Sequence, residues 1–395
     1  MKRNILLWLG LIFTLSVFAQ SSVKLSGYIQ TQYQYGEKDA TLRVGTPNEN
    51  PDESFSRIGI RRGRIRLAAD DGKLLSGGFQ IEATERGFGL KEAALNIKDP
   101  WINTLQMRAG VFDRPFGNEI SYSSAQLESS ERSMLCQTLF PGEQDLGAML
   151  VLQPAKTSVW NILKLEAGLF AGNGIEQETD NRRDFIGHLS VAKTVNSVSY
   201  GGGVSYYNGG VFQGTENVYR MNGKGFEINS SPSNKGKFAK REYIGFDLQL
   251  AHAGSLGTTQ LRTEYVFGQQ PGTAGSSRSP NASVLPSADT YIRNFNGAYA
   301  IFVQDLGTLP FSAVLKYEWY DPNTKVSGDE IGENGTSKTD LRYSTFGFGA
   351  LWNINTDLRL QAYYEINRNE TTANIANMTK DLKDNVFTLR LQYRF

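Results

Sequence analysis

Sixteen stretches of alternating polarity run through this chain, and the connections between them are by turns short and long. The stretches are residues 23–35, 55–69, 75–84, 90–98, 105–112, 145–152, 161–171, 184–193, 198–207, 242–252, 259–267, 297–303, 311–320, 341–353, 358–366 and 384–395. Short connections fall at 70–72, 99–103, 154–159, 194–197, 253–257, 305–310 and 353–357. Long ones fall at 36–54, 113–143, 172–183, 208–241, 268–296, 321–340 and 367–383, and only the connection at 85–89 breaks the rhythm. A soluble sandwich has no reason to sort its connections onto two ends. An antiparallel barrel in a membrane does, because one end carries tight turns and the other carries long external loops. The expected fold is therefore all-β: a transmembrane antiparallel β-barrel of about 16 strands. About 375 residues follow the leader described below, roughly 23 per strand and connection, which suits crossing strands of about 9–11 residues.

The last stretch shows what each strand has to do. Phe387, Leu389, Leu391, Tyr393 and Phe395 fall on one side of it, and Thr388, Arg390, Gln392 and Arg394 on the other, because side chains alternate across a strand. One face suits lipid out to the final aromatic residue, as a strand that closes a barrel requires. The first stretch repeats the pattern, with Val23, Leu25, Ile29, Thr31, Tyr33 and Tyr35 against Lys24, Ser26, Gln30, Gln32 and Gln34. Aromatics near strand ends, Tyr33, Tyr35, Trp160, Tyr207, Trp319 and Trp352, are expected to form girdles at the two membrane interfaces.

Residues 1–20 read as a secretory signal peptide: Lys2 and Arg3, an apolar run from Ile5 to Phe18, and Val17-Phe18-Ala19 as a cleavage pattern. Residues 21–395 then form one barrel domain. The single Cys136 rules out an internal disulfide framework and a cysteine zinc site. Without Lys2 and Arg3, 39 basic residues stand against 40 acidic ones, so net charge points to no nucleic acid or other polyanion. Catalytic patterns are missing too. The two histidines, His188 and His252, lie on different strands, and no metalloprotease, phosphate-loop or nucleophile-elbow motif occurs. No catalytic residue, metal ligand or cofactor is assigned.

The stretch Arg57–Leu67, RIGIRRGRIRL, is the informative one. Ile58 and Ile60 lie opposite Arg57, Gly59 and Arg61. After Gly63 the phase flips, so that Ile65 and Leu67 lie opposite Arg62, Arg64 and Arg66. One bulge between Arg61 and Gly63 turns all five arginines inward, and the energetics favour it, since an arginine facing lipid near the midplane costs roughly 2–4 kcal/mol. A line of guanidiniums in a lumen attracts anions and suits oxyanions through paired hydrogen bonds. The competing role is to brace the wall against acidic loop residues. The same alternation sends Arg108, Lys164, Arg262, Lys316, Arg359, Arg390 and Arg394 inward, with Glu82, Glu166, Asp247, Glu264, Glu318 and Glu365, which leaves the wall net positive. The long 113–143 connection is expected to fold into the lumen and narrow it.

These stretches resemble the phosphate-selective porin O and P family of outer-membrane porins. The matching pieces run in order through Ile60–Arg64, Arg108–Gly117, Glu131–Ser133, Phe140–Gly142, Asp145–Gly147 and Gly168–Gly174. The resemblance implies a sixteen-stranded trimeric porin with an inward third loop. One departure limits it: in the family's phosphate channels bases cluster at the constriction, whereas 113–143 offers Arg114 and Arg132 against Asp113, Glu119, Glu128, Glu131 and Glu143.

The expected protein is an outer-membrane porin of a Gram-negative bacterium, a passive channel for small polar solutes that prefers anions, phosphate or other oxyanions among them. Arg57, Arg61, Arg62, Arg64, Arg66, Arg108, Arg114 and Arg132 are its pore-lining and anion-binding candidates. Its expected partners are the lipid bilayer, lipopolysaccharide, small anions or polar solutes, and two further copies in a homotrimer. The alternatives are a plugged structural or adhesive barrel and a barrel enzyme.

Overall fold

The computed structural model describes residues 22–101 and 104–395; the signal peptide expected at 1–20 lies outside the described residues. Sixteen strands close an antiparallel barrel: β1 (Ser22–Gly36), β2 (Phe55–Asp70), β3 (Leu75–Thr84), β4 (Gly87–Lys98), β5 (Leu105–Asp113), β6 (Gln144–Leu152), β7 (Leu163–Phe170), β8 (Asp184–Val195), β9 (Val198–Phe212), β12 (Phe238–Gly254), β13 (Gly257–Gly272), β14 (Thr290–Asp305), β15 (Phe311–Asp321), β16 (Tyr343–Asn353), β17 (Leu358–Asn369) and β18 (Val386–Arg394). The remaining two, β10 (Asn217–Asn222) and β11 (Gly225–Ser230), form a hairpin within the long connection after β9. Closure joins the first strand to the last, with Ile29 opposite Tyr393 and Gly36 opposite Val386. Every inner strand thus has two neighbours, which satisfies the backbone where no water can.

Apolar side chains face out and polar ones are buried. On β1, Val23, Leu25, Ile29, Tyr33 and Tyr35 are exposed, while Gln30, Gln32 and Gln34 are buried. On β18, Leu389, Leu391 and Tyr393 are exposed and Thr388, Arg390 and Gln392 are buried. In water this arrangement would leave the apolar faces unburied. In lipid it is the stable one, because the outer faces meet hydrocarbon and the inner polar groups find partners across the lumen. Strands β12, β13 and β14 run for 17, 16 and 16 residues, longer than the roughly 9–11 that a crossing needs, so they project beyond the membrane.

The bulge expected in β2 is present. Gln30 pairs with Arg62 and Thr31 with Ile60, so Arg61 is the extra residue, and all five arginines of β2 lie on the inner side. A second bulge, not foreseen, lies next to it. Gln80 pairs with Glu92 and Ile81 with Leu90, so Lys91 is extra and both Lys91 and Glu92 turn inward. One girdle assignment is corrected. Tyr207 is only 2% exposed and donates its hydroxyl to Asp184 at 2.7 Å; its odd-numbered position on β9 faces the lumen, and Tyr206 beside it faces out.

The 113–143 connection folds inside the barrel and builds a small core there. Phe116, Ile120, Leu135, Cys136, Leu139 and Phe140 pack against Phe112, Met149, Phe170, Ile186, Tyr207, Tyr243, Val266, Phe295 and Tyr320 of the wall. Its one helix, α1 (Met134–Leu139), is capped by Ser133, whose hydroxyl accepts from the Cys136 amide. The cap satisfies an amide that the first helical turn leaves open.

A loop and wall charge belt

The inserted loop leaves the wall through a buried clamp. Arg114 donates to Asp145 on β6 at 3.1 Å, with the side chains 3% and 0% exposed. Asp145 also accepts from the Gly172 amide at 3.1 Å, and the Gly172 carbonyl accepts from Arg241 on β12 at 2.8 Å. Arg241 in turn pairs with Asp184. A little further along, Gly117 has φ +61 and lies so close to Glu264 of β13 that a side chain there would collide with its carboxylate, a position only glycine fills without strain. Glu264 accepts from the Asn118 amide at 2.7 Å and from the Glu119 amide. Segments 112–117, 145–147 and 168–174, scattered in the sequence, therefore meet around one turn of chain.

From there the loop is stitched along β13 to β18 and β1. Glu128 pairs with Arg262 at 2.5 Å and accepts from the Tyr122 hydroxyl at 2.9 Å. Lys316 lies 2.6 Å from Glu318 and 3.6 Å from Glu119. Loop carbonyls do the rest: Ala125 accepts from Gln392, Leu127 from Arg359, Glu128 from Gln361 and Ser130 from Arg390, at 3.0, 2.9, 2.5 and 2.6 Å. Each is a buried polar group that would be costly to leave without a partner.

Glu131 is the centre of the belt. Its carboxylate receives Arg61 at 2.6 Å, Arg62 at 2.8 Å and Arg390 at 3.1 Å. Burial alone would raise the Glu131 carboxyl, but Arg61, Arg62 and Arg390 outweigh it and hold the group well below the usual carboxylate range. Glu143 behaves likewise: burial raises it, and Arg132, Lys91, Arg64 and Arg62 bring it down to about 2. On the facing wall Glu82 takes both Arg64 at 2.7 Å and Lys91 at 3.8 Å. Glu92 takes both Arg66 at 2.6 Å and Arg108 at 3.0 Å.

The candidate residues thus occupy different places. Arg61, Arg62, Arg64, Arg66 and Arg108 belong to this one belt. Arg57 sits apart at the rim, bound to Glu49 and to the carbonyls of Thr46 and Pro47. Arg114 is locked in the clamp. Arg132 is 5% exposed and pairs with Glu143 at 3.1 Å while donating to the Tyr122 carbonyl at 2.6 Å. Two members of the belt escaped notice, Lys91 and Glu92, and their signal was a phase flip within GFGLKEAALNIK like the one in β2. Of the charged lumen-side chains, Arg66 and Lys164 are each 38% exposed and Arg108 is 27% exposed.

No protein-family model and no curated protein matches the sequence. Solved structures resemble it in shape. A loop-deletion form of OmpT, an outer membrane protein of Vibrio cholerae, gives a TM-score of 0.57 at 12% identity, covering 95% of this chain and 99% of that one. The in-vitro folded trimer form of the same protein gives 0.52 at 12% identity, with 95% and 99% covered. The outer membrane channel DcaP of Acinetobacter baumannii gives 0.57 at 11% identity, with 96% and 98% covered. Identities this low carry the fold and say nothing of a solute.

Proposed function

We propose that the chain is a porin: a passive channel of a Gram-negative outer membrane that admits small polar solutes and prefers anions. One observation carries the preference. Arg61, Arg62 and Arg390 share Glu131, Arg64 and Lys91 share Glu82, and Arg66 and Arg108 share Glu92. Every cation in this group is held in place by a carboxylate, yet the positive charges outnumber the negative ones. Pairing fixes the guanidiniums, and the surplus sets the sign of the field that a permeant ion meets. Arginine donors in fixed geometry also suit oxyanions, phosphate included, through two parallel hydrogen bonds. The resemblance to the phosphate-selective porin family supports the porin reading, while the acidic 113–143 loop departs from that family's phosphate channels and leaves the anion to the arginines of the wall.

The wider reading comprises export through the signal peptide at 1–20, an outer surface in contact with bilayer and lipopolysaccharide, and a homotrimeric assembly like the trimer form of the Vibrio protein. A liposome-swelling assay tests the channel itself. Swelling in small neutral sugars, with rates that fall as the sugar grows, is the expected result. No swelling in any sugar would assign the barrel to the plugged class, in which the loop core and its stitches seal the lumen.

A further inference from the structure

We propose that the outer mouth contains a binding chamber for a small solute bearing an ammonium group, bordering the arginine belt at Glu131. The inference rests on the channel reading for its use, but the binding is a property of the chamber alone. A cavity of about 210 Å3 lies between the inserted loop, the inner faces of β15 to β17 and the long connections that follow β1 and β17. Its charged lining divides in two. Glu131, Arg132, Glu318 and Arg368 are already satisfied, by Arg390 and its neighbours, Glu143, Lys316 and Asp381 respectively. Asp39, Glu365 and Asp384 also line the cavity, with Arg43 as the remaining cation. Among the described residues none of these four forms an ion pair.

The spare charge facing the chamber is therefore three carboxylates to one guanidinium, opposite in sign to the belt it borders. Asp384 states the imbalance most clearly. Its Oδ1 is buried without a hydrogen-bond partner. Burial, and then the neighbouring Asp381, raise its carboxyl to about 6, so at neutral pH it is an ionised group lacking a counter-charge. The floor next to it is fixed by ordinary hydrogen bonds: Thr345 donates to Asn367 at 2.7 Å, and Asn367 donates to the Asp384 carbonyl at 2.7 Å. An ammonium group offers three donors and one positive charge, which Glu365 and Asp384 can accept. Arg43, which lines the same cavity, would take the carboxylate of a zwitterion. A four-carbon chain fits the volume.

Saturation-transfer NMR on the full-length barrel in detergent tests the chamber without transport, with three probes: butylamine, 4-aminobutyrate and butyrate. Butylamine and 4-aminobutyrate are expected to bind and butyrate to give no signal. In Glu365→Gln/Asp384→Asn, both amine signals should fall at least tenfold, because both charge-assisted contacts to the ammonium are lost. In Arg43→Ala the butylamine signal should persist while that of 4-aminobutyrate drops toward it. Folding of each variant is checked by its heat-dependent gel mobility. Equal amine signals in wild type and the double variant, butyrate bound as well as the amines, or no signal from any probe would each overturn the proposal. A barrel that binds butylamine but fails the swelling assay keeps the chamber and loses the channel; swelling without binding does the reverse.

Discussion

Arg390 on the closing strand and Glu131 on the inserted loop meet at 3.1 Å with the arginine only 1% exposed, although 259 positions separate them in the chain. Arg61 and Arg62 reach the same carboxylate from β2. One loop residue thus ties together both sides of the barrel seam. The loop is held in the lumen by the same wall charges to which the proposed anion preference is assigned, so Glu131 links the loop's position to that proposal.

Glu131→Gln should release that coupling. Removing one partner from a buried pair costs about 3–5 kcal/mol, so the heat needed to unfold the barrel on a gel should fall. The three guanidiniums then lose their counter-charge, and single-channel conductance and anion preference should both rise. A variant with unchanged conductance and unchanged heat stability would show that the carboxylate holds nothing.

Acid should loosen the loop only late. Glu143 is brought down to about 2 from an ordinary 4.5, so the stability it contributes is complete above about 4.5 and is lost as the pH falls through about 2. Glu131, lowered for the same reason, adds to the same side. Channel current is expected to stay quiet at pH 5 and to become noisy or larger between pH 4 and 2. Glu143→Gln should show that noise at neutral pH.

Deleting Arg61 should prevent folding, whereas Arg61→Ala should not. The deletion removes the extra residue of the bulge and forces one half of β2 to reverse its faces. Arg62, Arg64 and Arg66 would meet lipid at roughly 2–4 kcal/mol each near the midplane. The folded, heat-modifiable band on a gel separates the two outcomes.

The clamp makes a prediction about non-additivity. Arg114→Ala leaves the Asp145 carboxylate buried and lacking its guanidinium, at a cost of about 3–5 kcal/mol. Arg114→Ala/Asp145→Asn should recover part of that loss, because the amide carries no charge to strand and can still accept from Gly172. Unfolding midpoints in urea and detergent measure both.

The wall of this barrel was legible in the sequence because lipid enforces strict alternation. The five arginines of β2 revealed their bulge because one isoleucine phase could not accommodate them. The neighbouring bulge at Lys91 passed unnoticed: Gly87, Gly89, Ala93 and Ala94 blur the apolar phase around it. The β10 and β11 hairpin was missed for a related reason. It lies outside the membrane-crossing pattern, where no hydrocarbon imposes alternation, and is held by partners such as Tyr291, which stacks on Tyr219 at 4.3 Å. Tyr207 was given to a girdle on its place near a strand end, when its parity already placed it inside. The pairing of Glu131 with three arginines has no local signature, because its members come from the two ends of the chain and the loop between.

On the proposed reading, the belt carries a surplus of positive charge into the conduction path. The zero-current potential of the purified barrel in a planar bilayer under a potassium chloride gradient tests it most directly. A chloride-selective potential is expected, and it should shrink when Arg61, Arg66 and Arg108 are changed to Ala together. A potassium-selective potential, or one that the triple change leaves where it was, would contradict it.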